Sequence, residues 1–249
     1  MMNPRSIILT LLCLTAFLCL PACDGNASNE KSINEEIEEI NRASREEQRR
    51  QIEEEGVADV GTEHLDQMGS ALENAAANAS GEQAKVLREQ ASLVREMQAN
   101  LDKYDAILNE LIAAGGIDAS TVTGPEDIEN RLEIVDRLEA ENERLAIEQP
   151  RILRRMGEIE NTSSLIEKQL VYHRKIRQTD RDLFAAMRGV FGILSEYGDG
   201  IEVLSDGSIM FGEDMPDEVL NQYNAYIEEI NLVSAQQGQL QLELLELVP

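Results

Sequence analysis

Cysteine is the residue type here most suited to covalent chemistry, and one of the three cysteines in this 249-residue chain occupies a specific place. Cys23 closes the sequence Leu20-Pro21-Ala22-Cys23. Ahead of it, residues 6–20 form an uncharged apolar run behind a start that carries Arg5. A spanning helix needs ~20 apolar residues, so this run is short for a permanent anchor and suits a signal peptide. Pro21 ends any helix, and Ala22 is the small residue that a signal peptidase requires beside the bond it cuts. Cleavage there removes Cys13 and Cys19 with residues 1–22 and leaves Cys23 first in the mature chain. A single cysteine supports no disulfide framework.

Leu20-Pro21-Ala22-Cys23 resembles the lipobox of bacterial lipoprotein precursors. The resemblance implies a diacylglyceryl thioether on Cys23, which blocks the thiol and anchors the chain in a lipid bilayer. Each buried CH₂ of an acyl chain contributes about 0.8 kcal/mol, so several chains hold firmly. Asp24 follows the cysteine. In lipoproteins of the enterobacterial type, Asp at that place favours retention at the periplasmic face of the inner membrane; the outer membrane is the alternative.

Little else carries chemistry. The two histidines, His64 and His173, lie far apart and lack metal-ligand spacing around them. Phosphate-binding glycine loops and nucleophile elbows are missing from the sequence. Neither catalysis nor a cofactor or metal is expected. Asn26-Ala27-Ser28, Asn78-Ala79-Ser80 and Asn161-Thr162-Ser163 match the glycosylation triplet and read as chance. One stretch runs against the global charge. Residues 167–188 include Lys168, Arg174, Lys175, Arg177, Arg181 and Arg188 against Glu167, Asp180 and Asp182. Arg174, Lys175, Arg177 and Arg181 are the candidate patch for an anionic partner. The structural alternative, which carries more weight, pairs them with acids of the returning segment such as Glu213, Asp217 and Glu228.

Composition narrows the function classes. The chain has 22 basic and 48 acidic residues, a net charge of −26. Nucleic acid, whose phosphates demand a surplus of Lys and Arg, is excluded as a partner. With no Trp, four Phe and five Tyr, a deep globular core is not expected. Abundant Glu, Ala, Leu, Gln and Arg predict long helices with narrow apolar seams.

The expected fold is mainly α: an elongated antiparallel helical bundle or coiled-coil hairpin with one small β-hairpin at about 201–211. After the signal peptide at 1–22, residues 23–62 read as a tether and a charged helix. Ser32-Ile33-Asn34-Glu35 has the form of a capping box. Residues 63–171 read as a long helical hairpin. Leu87, Val94, Leu101 and Leu108 recur every seven residues. Gly81 is only a weak point in that helix, and Gly115-Gly116 stops it. Pro125 restarts the chain as a first-turn residue. The next seam runs Leu138, Leu145, Ile152, Ile159, Ile166, with Asn142 and Gln149 as polar seam positions that set register. Pro150 kinks or breaks that helix.

Residues 172–249 form an aromatic-rich module. Within it, Asp206-Gly207 predicts a two-residue type I′ turn, with Leu204 facing Ile209 and Val203 facing Met210. Pro216 opens a closing helix with one apolar stripe, Tyr226, Ile230, Val233, Gln237, Leu240, Leu244 and Leu247. Tyr197-Gly198-Asp199, Val203, Gly207, Ile209, Phe211, Tyr223-Asn224 and Ile227 together resemble a family of bacterial helical lipoproteins of unknown function with a small hairpin near the C-terminus. That resemblance implies architecture and location and brings no activity.

These features predict a membrane-anchored, non-catalytic interaction, adaptor or envelope structural protein. The alternative is a small-ligand or lipid-binding module, its cavity lined by Phe191, Phe211 and Tyr223. The expected partners are the bilayer, through Cys23, and an envelope protein. Isoleucines 33, 37 and 40 lack an obvious partner within the chain. They predict a monomeric core with a helical face near the tether left for another protein.

Overall fold

The computed structural model describes residues 27–56, 62–197, 202–203, 209–212 and 215–247. The expected signal peptide, Cys23 and Asp24 lie outside the described residues. The protein is mainly helical. Its helices are α1 (Ala27–Glu55), α2 (Glu63–Asn78), α3 (Gly81–Ala113), α4 (Pro125–Glu160), α5 (Ser163–Tyr197) and α6 (Asp217–Glu246). Each packs against its neighbours in sequence, and α1 also touches α6.

Two breaks depart from the sequence reading. The first falls at Ala79 and Ser80, where Gly81 takes φ +63° and α3 turns back along α2. Arg95 of α3 then reaches Asp66 and Glu73 of α2, at 2.6 and 2.9 Å. The second falls at Asn161, whose φ of 58° is left-handed. There the amide N–H of Thr162 donates to the Gly157 carbonyl at 2.8 Å, and the Thr162 carbonyl opens α5 by accepting from Leu165 and Ile166. Gly157 sits where a Cβ would strike Ile166 Cγ1 at 2.7 Å, so the turn needs its bare Cα. The seam from Leu138 to Ile166 is therefore two arms of an antiparallel hairpin. The expected boundary at 171/172 falls inside α5, and one apolar core runs from Ile37 in α1 to Val233 in α6.

Other elements stand where the residues put them. Gly115 and Gly116, at φ +96° and +60°, close α3 with two bonds, Gly116 N–H to Leu111 and Gly115 N–H to Ile112. This is the Schellman pattern. A 3₁₀ turn, Ala119–Thr121, follows. Arg131, 1% exposed, threads into that loop and donates to the carbonyls of Gly116, Asp118 and Thr121 while pairing with Asp127. Pro150 lies inside an unbroken α4. Its missing N–H costs one helix bond, which the packing on both sides tolerates.

α1 begins at Ala27, upstream of the expected cap at Ser32. Its apolar face is not left open. Ile37 is fully buried in the main core with Leu65 and Met68, and Ile52 packs with Ile176, Leu244 and Leu245. Beyond α5, β1 (Glu202–Val203) and β2 (Ile209–Met210) pair antiparallel as Glu202 with Met210 and Val203 with Ile209. That register is one residue from the expected one. Val203 loses the expected pairing with Met210, and the expected turn at Asp206-Gly207 lies outside the described residues.

Candidate functional site

The most concentrated polar chemistry in the described chain is internal. Asn142 and Gln149 project from α4, His173, Arg177 and Asp180 from α5, and Gln237 from α6; none exceeds 4% exposure. Antiparallel α4 and α5 bring Arg177 level with both α4 amides. It donates to Asn142 Oδ1 at 2.5 Å and to Gln149 Oε1 at 3.2 Å. It also pairs with Asp180 Oδ2 at 3.0 Å, and Gln237 Nε2 donates to Asp180 Oδ1 at 2.8 Å. Three helices are thus tied by one buried ion pair.

Electrostatics follow from that burial. Desolvation pushes the Asp180 carboxyl above its ordinary range, and the Arg177 guanidinium works against the rise. Burial lowers His173 to about 3, so its imidazole is neutral, and Arg177 adds to the effect. Neutral imidazole, amides and paired carboxylate are all buried here. The layer fixes which residues of α4, α5 and α6 stand opposite one another.

A second buried acid sits at the α4–α5 turn. Desolvation raises Glu160 to about 9, partly opposed by a hydrogen bond from Gln90 of α3. Gln90 Nε2 donates to Glu160 Oε1 at 3.4 Å.

The four residues of the predicted anionic-partner patch have separate fates. Arg177 is in the core and cannot receive a partner. Arg181 pairs with Glu143 of α4 at 2.7 Å. Arg174 is exposed and donates to the Leu170 carbonyl. Lys175 is exposed, its Nζ 5.0 Å from the centre of the Tyr172 ring. The acids that answer this basic stretch come mainly from α4, not the returning segment: Arg188 meets Asp136 and Glu139. The sequence reading could not see this, because it treated α4 and α5 as one helix.

Two open grooves lie on the surface. One, of about 450 Å³, runs between α1 and α2 past Ile40, Gln48, Gln51 and the half-buried His64. The other, of about 460 Å³, runs between α5 and α6 past Lys175, Thr179, Gln236, Gln239 and Leu240. Phe191 is fully buried in the main core, and Phe211 packs against that core with its ring edge-on to Tyr223, centroids 5.0 Å apart. Among the described residues no group of three His, Cys, Asp or Glu is placed to hold a metal ion, and no helix is long and apolar enough to cross a membrane.

The residues that sequence reasoning missed are Arg177 as a core group, Asp180, and Arg131 in its loop. A signal for the first two was present: Asn142 and Gln149 of α4 and Gln237 of α6 are polar at seam positions of two helices, and buried amides need hydrogen-bonding partners. No protein-family model, curated protein or solved structure matches this chain.

Proposed function

We propose that this chain is a lipid-anchored helical lipoprotein of the bacterial envelope, held to a bilayer through Cys23, and that it serves as a non-catalytic interaction, adaptor or structural protein. The anchoring half of the reading rests on Leu20-Pro21-Ala22-Cys23 behind its uncharged apolar run. The non-catalytic half is supported by one observation: the most concentrated charged and amide chemistry of the described chain is buried where it locks α4, α5 and α6 in register. α3 and α4, of 33 and 36 residues, would extend roughly 50 Å at 1.5 Å per residue. In this reading the fold is an elongated antiparallel bundle, and residues 201–211 form a small β-hairpin whose described part is the β1–β2 ladder. The ligand-binding alternative asks for empty space among Phe191, Phe211 and Tyr223. It is less favoured, because those rings pack with the core.

Metabolic labelling with a fatty-acid analogue tests the anchor. Wild type takes up label and Cys23→Ala does not; equal label in both would remove the lipoprotein reading. Crosslinking in membranes followed by mass spectrometry tests the adaptor role, with Cys23→Ala as the control.

A further inference from the structure

The groove of about 450 Å³ between α1 and α2 stands apart in what its walls leave unpaired. Gln48, 3% exposed, and the half-buried Gln51 line it from α1. The side-chain oxygen of each is buried with no donor paired to it. Their nitrogens fix how the amides face. Gln51 Nε2 donates to Glu47 Oε1 at 3.0 Å, and a carboxylate only accepts, so the atom left over is the carbonyl oxygen. Gln48 Nε2 donates to Ser44 Oγ at 3.3 Å, which leaves its oxygen over as well. A buried acceptor without a donor is costly, and native structures leave few of them. The lining also holds two carboxylates and no Lys or Arg. Arg50 compensates Glu47 at 2.7 Å. Glu63, in the first turn of α2, has no ion-pair partner among the described residues.

We propose that this groove binds a small primary alkylammonium, which donates to the side-chain oxygens of Gln48 and Gln51 and sets its charge against Glu63. The donor count selects the ligand. An ammonium group carries three N–H bonds, and two amide oxygens and one uncompensated carboxylate receive them. One positive charge matches the one carboxylate that no other group in the chain neutralises. The alkyl stem has its own place. Ile40 and Ala43 line the same groove from α1, two to three turns before Gln51 and on the same side of the helix. A quaternary ammonium brings the charge without a donor, and an alcohol brings a donor without the charge. A divalent metal brings a second charge that the lining does not answer.

Calorimetric titration of the full chain in mild detergent with n-butylammonium chloride tests this. Wild type binds saturably at one site. n-Butyltrimethylammonium, with the same charge and no N–H, binds weaker by on the order of tenfold, and so does 1-butanol. Gln51→Met keeps the length of the side chain and removes the oxygen, and it weakens n-butylammonium binding to the same degree. Glu63→Gln, at an exposed position, does likewise with unchanged helicity. Glu82→Gln removes an equal charge from an exposed site on α3 and leaves binding as it was. Absence of saturable binding overturns the proposal. Equal binding of the quaternary ammonium overturns it too, as does an equal loss in Glu63→Gln and Glu82→Gln, since either marks diffuse attraction to an acidic chain. Displacement of n-butylammonium by an equal concentration of magnesium chloride overturns the choice of an ammonium. None of these readouts depends on acylation, so they stand apart from the test of Cys23.

Discussion

Arg177 of α5 donates to Asn142 Oδ1 of α4 at 2.5 Å, within a helix pair that also buries Leu138, Leu145 and Ile152 of α4 and Leu170, Leu183 and Phe184 of α5. Its charge is balanced by Asp180, 2% exposed and held from α6 by Gln237. Removing one member of a buried pair strands the other in low dielectric, whereas removing both leaves only a volume to fill. Asp180→Ala is therefore expected to cost about 3–5 kcal/mol. The double change Arg177→Met with Asp180→Leu should cost far less, or stabilise. Urea unfolding of the three proteins decides it. If the single variant is as stable as the double, the pair does not govern the layer.

Glu160 is the residue through which pH acts most directly on stability. Desolvation raises its pKa from 4.5 to about 9, so the folded state holds a proton that the unfolded chain releases. Stabilisation of this kind is complete below the unfolded value and lost as pH rises toward the folded one. Thermal stability should fall between pH 4.5 and 9, and Glu160→Gln should flatten that slope because the amide keeps a neutral donor there. Gln90 Oε1 is buried with no donor paired to it, while Gln90 Nε2 donates to Glu160 Oε1. A slope unchanged in Glu160→Gln would place the ionisation elsewhere.

The helix breaks show what the sequence could and could not disclose. Seven-residue rows identified the apolar faces correctly: Leu87, Val94, Leu101 and Leu108 are all buried, as are Leu138, Leu145 and Ile152. The same rows concealed the turns, because a tight hairpin keeps the apolar phase running from one arm into the next. Asn78-Ala79-Ser80 and Asn161-Thr162-Ser163 match the glycosylation triplet by chance. Both lie at the breaks. Asn tolerates the left-handed conformation that ends a helix, and Ser and Thr favour the residues that begin one. Asn161 takes that left-handed conformation, whereas Asn78 is the last residue of α2 and Ser80 precedes α3 without a side-chain capping bond. Partners of the basic stretch were illegible for the same reason, since Asp136, Glu139 and Glu143 reach Arg188 and Arg181 only once α5 folds back.

Gly189 on α5 faces Tyr226 on α6 at a distance that leaves no space for a side chain. A Cβ there would lie 2.4 Å from the ring. Gly189→Ala gains about 1 kcal/mol of helix propensity. The overlap displaces Tyr226 and costs about 1–3 kcal/mol, so the net effect is destabilising. In a Tyr226→Ala background the overlap disappears and the same change should stabilise. A double-mutant cycle by chemical denaturation measures this sign reversal, and additivity of the two changes would dismiss the contact.

Phe191 and Phe211 separate the buried aromatic core from its margin. Phe191 is fully buried, while Phe211 is half-buried with its ring edge-on to Tyr223. Phe191→Ala is expected to cost about 3–5 kcal/mol, as large-to-small changes at sealed positions do. Phe211→Ala should cost visibly less. Equal melting losses would mean that the segment carrying Phe211 is sealed as tightly as α5.

The last prediction concerns the ion pairs that align α3 with α4. Glu89, Glu96, Lys103 and Glu110 recur every seven residues beside the apolar seam. They meet Arg155, Arg151, Glu141 and Arg137. This is how flanking charges select partner and direction in paired helices. Most of these contacts are open to water, where screening leaves them little energy. Glu141 differs, being 5% exposed on its side chain. Burial alone would raise its pKa, but hydrogen bonds from Arg144 and Lys103 outweigh that and hold it below the usual carboxylate value. A lowered pKa contributes stability above the unfolded value and loses it as pH falls through the folded one. Glu141→Ala should therefore destabilise by about 1–3 kcal/mol near neutrality, with the difference shrinking in acid. Glu110→Ala should have a small effect that disappears in 1 M salt. Unfolding curves of both variants at low and high salt test the contrast. Equal, fully screened losses would show that the ladder acts only as surface charge and that Glu141 has no special place in it.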